Sequence, residues 1–234
     1  MARPAIRSGA GRRTTGGRES RVSPAGLQKV PREPKLPLRR GSQHIVESDE
    51  PLWRIAATSG PFALRWNAFR TFGPLPQMRW DPHRPPPSEQ PGRGVMYAAP
   101  HITTVVAERF QKYRLVDPHT GAPFLFGWQP TRPLRCLNLT GDWPVANRAA
   151  HALLSGPRST CRRYAAAILD SWPDLDGLRV RSSIDGRLTF VLFEPAADAL
   201  PDLPAYARPL TQPDTFAVVH AAAKQLGYAA LPPR

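Results

Sequence analysis

The chain has 234 residues, 41% of them hydrophobic, and sets 32 Lys and Arg against 18 Asp and Glu for a formal net charge of +14 at pH 7. That length supports one sizeable domain with its own core and excludes two large ones. Cys136 and Cys161 are too few for a disulfide framework, no apolar run approaches the ~18 residues of a membrane span, and the basic N-terminus lacks the apolar stretch of a secretion signal, so a reduced, cytoplasmic setting is expected.

The charge is not spread evenly. Residues 1–45 hold eleven Lys and Arg against Glu19 and Glu33 alone, and so supply +9 of the +14. Rich in Gly, Ser, Pro and Arg and without spaced apolar residues, this segment is expected to be a disordered tail, with the folded domain spanning 46–234. Such a tail contacts nucleic acid non-specifically through counterion release, or is simply solvated.

From Pro51 the texture changes. "LWRIAA" predicts a short strand, and an aromatic, Pro-rich loop leads from it to a second strand, "VMYAA". A helix is expected to begin near His101, followed by strands in "PFLFGWQP" and "LRCLNLT". "DWPVANRAAHALLSG" has helical spacing, with Asp142 as N-cap and Gly156 as stop, and "STCRRYAAAILDSW" predicts a second helix with Ser159 at its start. "GLRVRSS" and "LTFVLFEP", separated by Asp185-Gly186-Arg187, predict a hairpin, and "DTFAVVHAAAKQLGYA" a closing amphipathic helix. Without strict β-α alternation, this order predicts a single α+β domain: a mixed, mostly antiparallel sheet with flanking helices.

Several chemistries are excluded by absence of their motifs. The chain has no G-x-x-x-x-G-K-[ST] loop, no G-x-G-x-x-G opening a helix and no G-x-S-x-G elbow. Its six His and two Cys never fall at metal-ligand spacing, so no metal is expected. Trp53, Trp66 and Trp80 beside Arg54, Arg65 and Arg79 suggest either a base-stacking surface or packing over the core.

"GVMYAAPHITTVVAERF" carries the carboxylate of most interest. At about 100° per residue, Ile102, Val105, Val106, Phe110 and Tyr113 share a core-facing arc, and Glu108 falls away from it beside His101 and Thr104. Periodicity therefore makes Glu108 a surface carboxylate by default.

Four segments in order resemble the RES-domain family, over roughly residues 51–195. They are "LWR" with Arg54; the turn "FGPLPQMRWDP" with Arg79; "GVMYAAPHITTVVAERF" with Tyr97 and Glu108; and "LLSGPRSTCRRYAAAI" leading to "DGLRVRSSIDGRLTFVLFEP". Met78 stands where the family usually has Gly, and "RPPPSEQPGRG" lengthens the loop after Arg79. Ser159 and Ser182 both compete for the family's functional serine, with Ser159 ranked first because its family counterpart begins a helix in the same way.

The resemblance implies an ADP-ribosyltransferase-like fold and an enzyme that splits NAD at the nicotinamide–ribose bond by phosphorolysis or hydrolysis. Known members are toxins held inactive by helix-turn-helix antitoxins. NAD is then a substrate and not a resident cofactor, with inorganic phosphate as a co-substrate in the phosphorolytic case. By this resemblance Glu108, Arg79 and Arg54 are catalytic, and Tyr97 with Ser159 or Ser182 binds substrate. The residue types suit the chemistry, since a carboxylate stabilises an oxocarbenium-like ribose and Arg forks match a diphosphate. Two other readings stay open: ADP-ribosyl transfer to a macromolecule, and a non-catalytic nucleic-acid-binding or interaction protein acting through the tail.

Overall fold

The computed structural model describes residues 30–61 and 63–233. The apolar-rich runs IVES and LWRIAA form strands β1 (Ile45–Ser48) and β2 (Leu52–Ala57), followed by a two-residue pair, β3 (Phe72–Gly73) and β4 (Ser88–Glu89). Then come β5 (Val95–Ala98), helix α1 (Ile102–Phe110), β6 (Leu115–Val116), β7 (Pro123–Trp128) and β8 (Leu134–Asn138). After the short α2 (Trp143–Ala146) and the long α3 (Arg158–Ser171), β9 (Gly177–Arg181) and β10 (Leu188–Phe193) form the expected hairpin. β11 (Tyr206–Pro209), α4 (Pro213–Gln225) and β12 (Ala229–Ala230) complete the chain.

The five-stranded sheet runs β1-β8-β9-β10-β5, antiparallel except for the parallel β8–β9 pair, and the second sheet runs β11-β7-β2, all antiparallel. The expected α+β architecture with a mixed, mostly antiparallel sheet is therefore present. Between β8 and β10 the chain enters β9 at Gly177, whose φ of +156° would drive a Cβ to 2.2 Å from the Val191 carbonyl oxygen.

Burial divides into three layers of apolar contact. Leu178, Val180, Val191 and Phe193 on one face of the large sheet pack under Cys161, Tyr164, Ile168 and Leu169 of α3. Met96, Phe190 and Leu192 on its other face meet Leu52 and Trp128 of the smaller sheet. Ile55 and Leu125 on that sheet's far side pack against Val105 and Val106 of α1 and Val219 and Ala223 of α4. β10 has apolar partners on both faces, which suits its run Phe190–Phe193, entirely buried.

Three local expectations are corrected. "DWPVANRAAHALLSG" is not one helix: α2 ends at Ala146, Arg148 takes a φ of +60°, and only a 3-10 turn, His151–Ser155, follows. At the C-cap Asn147 ties the helix end to another segment, its side chain bonding both the Trp143 carbonyl and the backbone of Arg39. Asp142 makes no capping bond and lies 3.4 Å from His44 Nε2 instead. Tyr113 lies beyond the end of α1 and is 74% exposed.

Of the segment 1–45 expected to be a disordered tail, residues 1–29 lie outside the described part, but residues 30–45 pack against the domain. Leu38 joins the core under α3, and Arg39 exchanges two hydrogen bonds with Asn147, at 2.7 and 2.9 Å. Arg40 lies 5.1 Å from the Trp172 ring centre and pairs with Asp174, and Ile45 already begins β1. Leu38 and the Asn147 amide are the contacts that composition does not register.

Candidate active site

The helix side that bears Thr104 and Glu108 does not face water. It faces the turn between β9 and β10. Thr104, with no exposure, donates from Oγ1 to Asp185 Oδ2 at 2.7 Å. One helical turn on, Ser182 Oγ donates to Glu108 Oε1 at 2.6 Å. Ser182 is 5% exposed and extends β9 by one ladder bond, its N–H donating to the Arg187 carbonyl at 2.8 Å. Its Oγ accepts the N–H groups of Ile184 and Asp185, so its own proton is left for Glu108. Gln111 Nε2 donates to the other carboxylate oxygen at 3.2 Å. The default reading of Glu108 as a solvated surface group is thereby corrected: it is half-buried, and both its oxygens are engaged.

The two candidate serines separate clearly. Ser159 occupies the second position of α3, behind the N-cap Pro157, is exposed, and makes no side-chain hydrogen bond among the described residues. Ser182 meets the carboxylate.

Tyr97 shares the sheet face of Leu178, Val180 and Val191, so it lies on the same side as Ser182 in the alternation of the strands. Its hydroxyl accepts the Trp80 N–H at 3.1 Å and donates to Asp81 Oδ1 at 3.1 Å. Asp81, fully buried, also accepts from Arg70 Nη2 at 2.7 Å and from the Leu75 N–H at 2.9 Å. Burial, reinforced by the Asp81 charge, pushes the Tyr97 phenol well above its ordinary value, so it stays a proton donor. Tyr97 therefore supports the turn that carries Arg79, a role sequence reasoning did not foresee.

Arg79 leaves that turn to donate from Nη1 to the Gly156 carbonyl, with Cys161 Sγ 3.7 Å away, just ahead of and inside the start of α3. Arg162, from the same helix, reaches back to the carbonyls of Leu75, Pro76 and Met78 at 3.4, 3.2 and 3.0 Å. Met78 is not among the residues with positive φ, so its side chain imposes no backbone strain at the position where the resembling family usually has Gly.

Arg54 stands apart, on β2, and donates to the Trp66 carbonyl at 2.9 Å. Among the described residues it has no carboxylate within ion-pair distance, and burial lowers its guanidinium to about 10. β2 is an edge strand, tied to the larger sheet by the Trp53–Ala99 bridge. Beside that edge a cleft of about 390 Å³ is lined by Arg54, Ala57, Gly60, Leu64, Gly121 and Arg109 of α1. Arg109, the residue after Glu108, was not singled out by sequence reasoning; its position directly after the carboxylate was the available signal.

The six candidates thus fall into three groups, Glu108 with Ser182, Tyr97 with the Arg79 turn and the nearby Ser159, and Arg54 in the cleft. No hydrogen bond or ion pair among the described residues joins Arg54 or Arg79 to Glu108. α1 links the first and third groups, because Glu108 and Arg109 are neighbours on it. The three tryptophans do not form a stacking surface: Trp80 is 2% exposed, Trp66 packs on Trp128 with ring centres 5.7 Å apart, and Trp53 packs on Tyr206 at 5.6 Å.

The RES domain family model matches residues 51–213 of the chain. The chain belongs to the RES-domain family. Its fold is similar to a chain of the crystal structure of the M. tuberculosis MbcT–MbcA toxin–antitoxin complex, with 18% identity and a TM-score of 0.50 over 75% of this chain and 92% of that one. No curated protein matches. The RES match spans β2 to the start of α4, so it contains Arg54, Arg79, Tyr97, Glu108, Ser159 and Ser182. Among the described residues of this RES protein, no helix is long and apolar enough to cross a membrane.

Proposed function

We propose that the protein cleaves the nicotinamide–ribose bond of NAD, by phosphorolysis or hydrolysis, as the toxin of a toxin–antitoxin pair whose partner is a helix-turn-helix protein. RES membership supports the reaction class, and the toxin–antitoxin assembly of the M. tuberculosis structure supports the partner. The observation that carries the reading is the 2.6 Å bond from Ser182 Oγ to Glu108 Oε1, because it holds the half-buried carboxylate in one orientation.

Breaking an N-glycosidic bond develops positive charge at the ribose anomeric carbon as nicotinamide departs with the bonding electron pair. Glu108 stabilises that charge electrostatically, and Ser182 with Gln111 fixes the carboxylate so that no reorganisation is needed when the charge appears. Phosphate or water then bonds to the anomeric carbon. The products are nicotinamide and either the 1-phosphate of ADP-ribose or ADP-ribose itself. The diphosphate needs cations, and the half-buried Arg54, which meets no carboxylate among the described residues and lines the cleft, supports that role.

The test is nicotinamide release from NAD by purified protein, with and without inorganic phosphate, by wild type and Glu108→Gln. Release lost in the variant supports the reading, and unchanged release overturns the role of Glu108. ADP-ribose appearing on a protein target without free product would indicate transfer instead. Toxicity on expression, relieved by the neighbouring gene, tests the partner.

A further inference from the structure

The cleft beside β2 has a second guanidinium. We propose that Arg109 and Arg54 together hold the diphosphate of a dinucleotide, with Arg109 the arm that distinguishes it from ligands lacking phosphate. This rests on the proposed NAD chemistry for the identity of the whole substrate, but the diphosphate site stands on its own geometry.

Arg54 comes from β2 and Arg109 from the last turn of α1, and both line the same cleft. Among the described residues Arg40, Arg70, Arg84, Arg93, Arg132, Arg135 and Arg163 each meet an Asp or Glu. Neither Arg54 nor Arg109 meets a carboxylate among the described residues. Two guanidiniums left without counter-charge on one concavity favour an anion with two acceptor groups, each fork matching one phosphate. The C-terminal end of a helix carries partial negative charge, so an anion held at the end of α1 requires the cation that Arg109 provides.

Size and spacing agree. The cleft measures about 390 Å³, far more than the ~30 Å³ share of one water. Consecutive helix residues have Cα atoms ~3.8 Å apart and side chains rotated by about 100°. Arg109 can therefore hold phosphates on one side of α1 while Glu108, on the adjacent side, addresses the ribose of the same molecule. Arg109 is itself exposed at the cleft, so replacing it leaves the core intact.

The experiment compares wild type, Arg109→Gln and a charge-matched control, Arg208→Gln, which lies on β11, is exposed and donates to the neighbouring Ala207 carbonyl. Nicotinamide release is measured with NAD and with nicotinamide riboside, and ADP binding is measured by calorimetry. Arg109→Gln is expected to raise KM for NAD and weaken ADP binding, each by roughly tenfold to a hundredfold, the scale of a lost charge-assisted bond. It leaves riboside turnover unchanged, and Arg208→Gln alters none of these. An unchanged KM for NAD together with unchanged ADP affinity overturns the proposal. If wild type releases no nicotinamide, the proposed reaction fails and the ADP arm decides alone. Binding by wild type that is lost in Arg109→Gln sustains the diphosphate site. Equal binding, or none by wild type, overturns it.

Discussion

Ser182 donates from Oγ to Glu108 Oε1 at 2.6 Å, joining the end of β9 to the last turn of α1 across 74 residues of sequence. The bond is sheltered, since Ser182 is 5% exposed and Thr104, one turn earlier on α1, ties the same β-turn through Asp185. The two contacts make the turn a fixed wall for the carboxylate. Glu108→Gln is expected to cut NAD turnover by ~10²–10³, in the range seen when a preorganised electrostatic group is removed. Ser182→Ala should cost less, and the Glu108→Gln/Ser182→Ala pair should be less than multiplicative, because the serine acts through the carboxylate. Ser159→Ala, on the exposed first turn of α3, should leave kcat/KM unchanged.

The buried Asp81 carboxylate organises the turn that carries Arg79. It accepts from Arg70, the Leu75 N–H and the Tyr97 hydroxyl, and removing it leaves a half-buried guanidinium without its counter-charge and a half-buried phenol without its acceptor. Asp81→Ala is expected to destabilise by about 3–5 kcal/mol, the usual cost of breaking a buried pair from one side. Tyr97→Phe loses only the hydroxyl and should cost about 1–3 kcal/mol, by leaving the Trp80 N–H without its acceptor. Urea denaturation of both variants measures the difference.

His83 gives stability a pH dependence of known sign. It is 2% exposed, lies 3.9 Å from Asp81, and packs so closely that a Cβ on Gly73 would fall 2.5 Å from its Nδ1. Burial lowers its pKa from 6.5, more than the Asp81 charge raises it, while Arg70 adds to the lowering. The folded protein therefore holds His83 neutral, and the unfolded chain takes up the proton first. This contribution is constant above pH 6.5 and is lost as pH falls from 6.5 toward the lower folded value. Denaturation midpoints measured from pH 7.5 to 5 should fall more steeply for wild type than for His83→Phe. Equal slopes would contradict the assignment.

The N-terminal strap should be thermodynamically part of the domain. Leu38 is 8% exposed beneath α3, and Leu38→Ala is expected to cost about 2–4 kcal/mol, within the usual range for a buried leucine. Asn147→Ala removes both bonds to Arg39 and should approach that cost. A melting temperature unchanged in both variants would contradict this packing.

Much of the fold was legible because its signals are local. The runs "LWRIAA" and "LTFVLFEP" and the spacing in α3 and α4 are short-range patterns, and each became the expected element. The α2 region was misread because its helical spacing is overridden from a distance: Asn147 bonds Arg39, 108 residues away, and Arg148 turns left-handed. The strap was misread for the same reason, since a charged, Pro-rich composition carries no sign of where a single Leu38 docks. In the site, the wheel placed Glu108 correctly off the core arc but could not show that Ser182 waits on that side. Arg109 escaped notice because an arginine on a helix end is ordinarily solvated. Its place directly after Glu108 was the one sequence signal, and the cleft shared with Arg54 is what gives that place meaning.

The most direct test is nicotinamide release from NAD by wild type and Glu108→Gln, followed over time with phosphate present and absent. The account predicts release by wild type, with NAD consumed in step, and a loss of ~10²–10³ in the variant. Equal release by both proteins, or intact NAD with folded wild-type protein under both conditions, would contradict it.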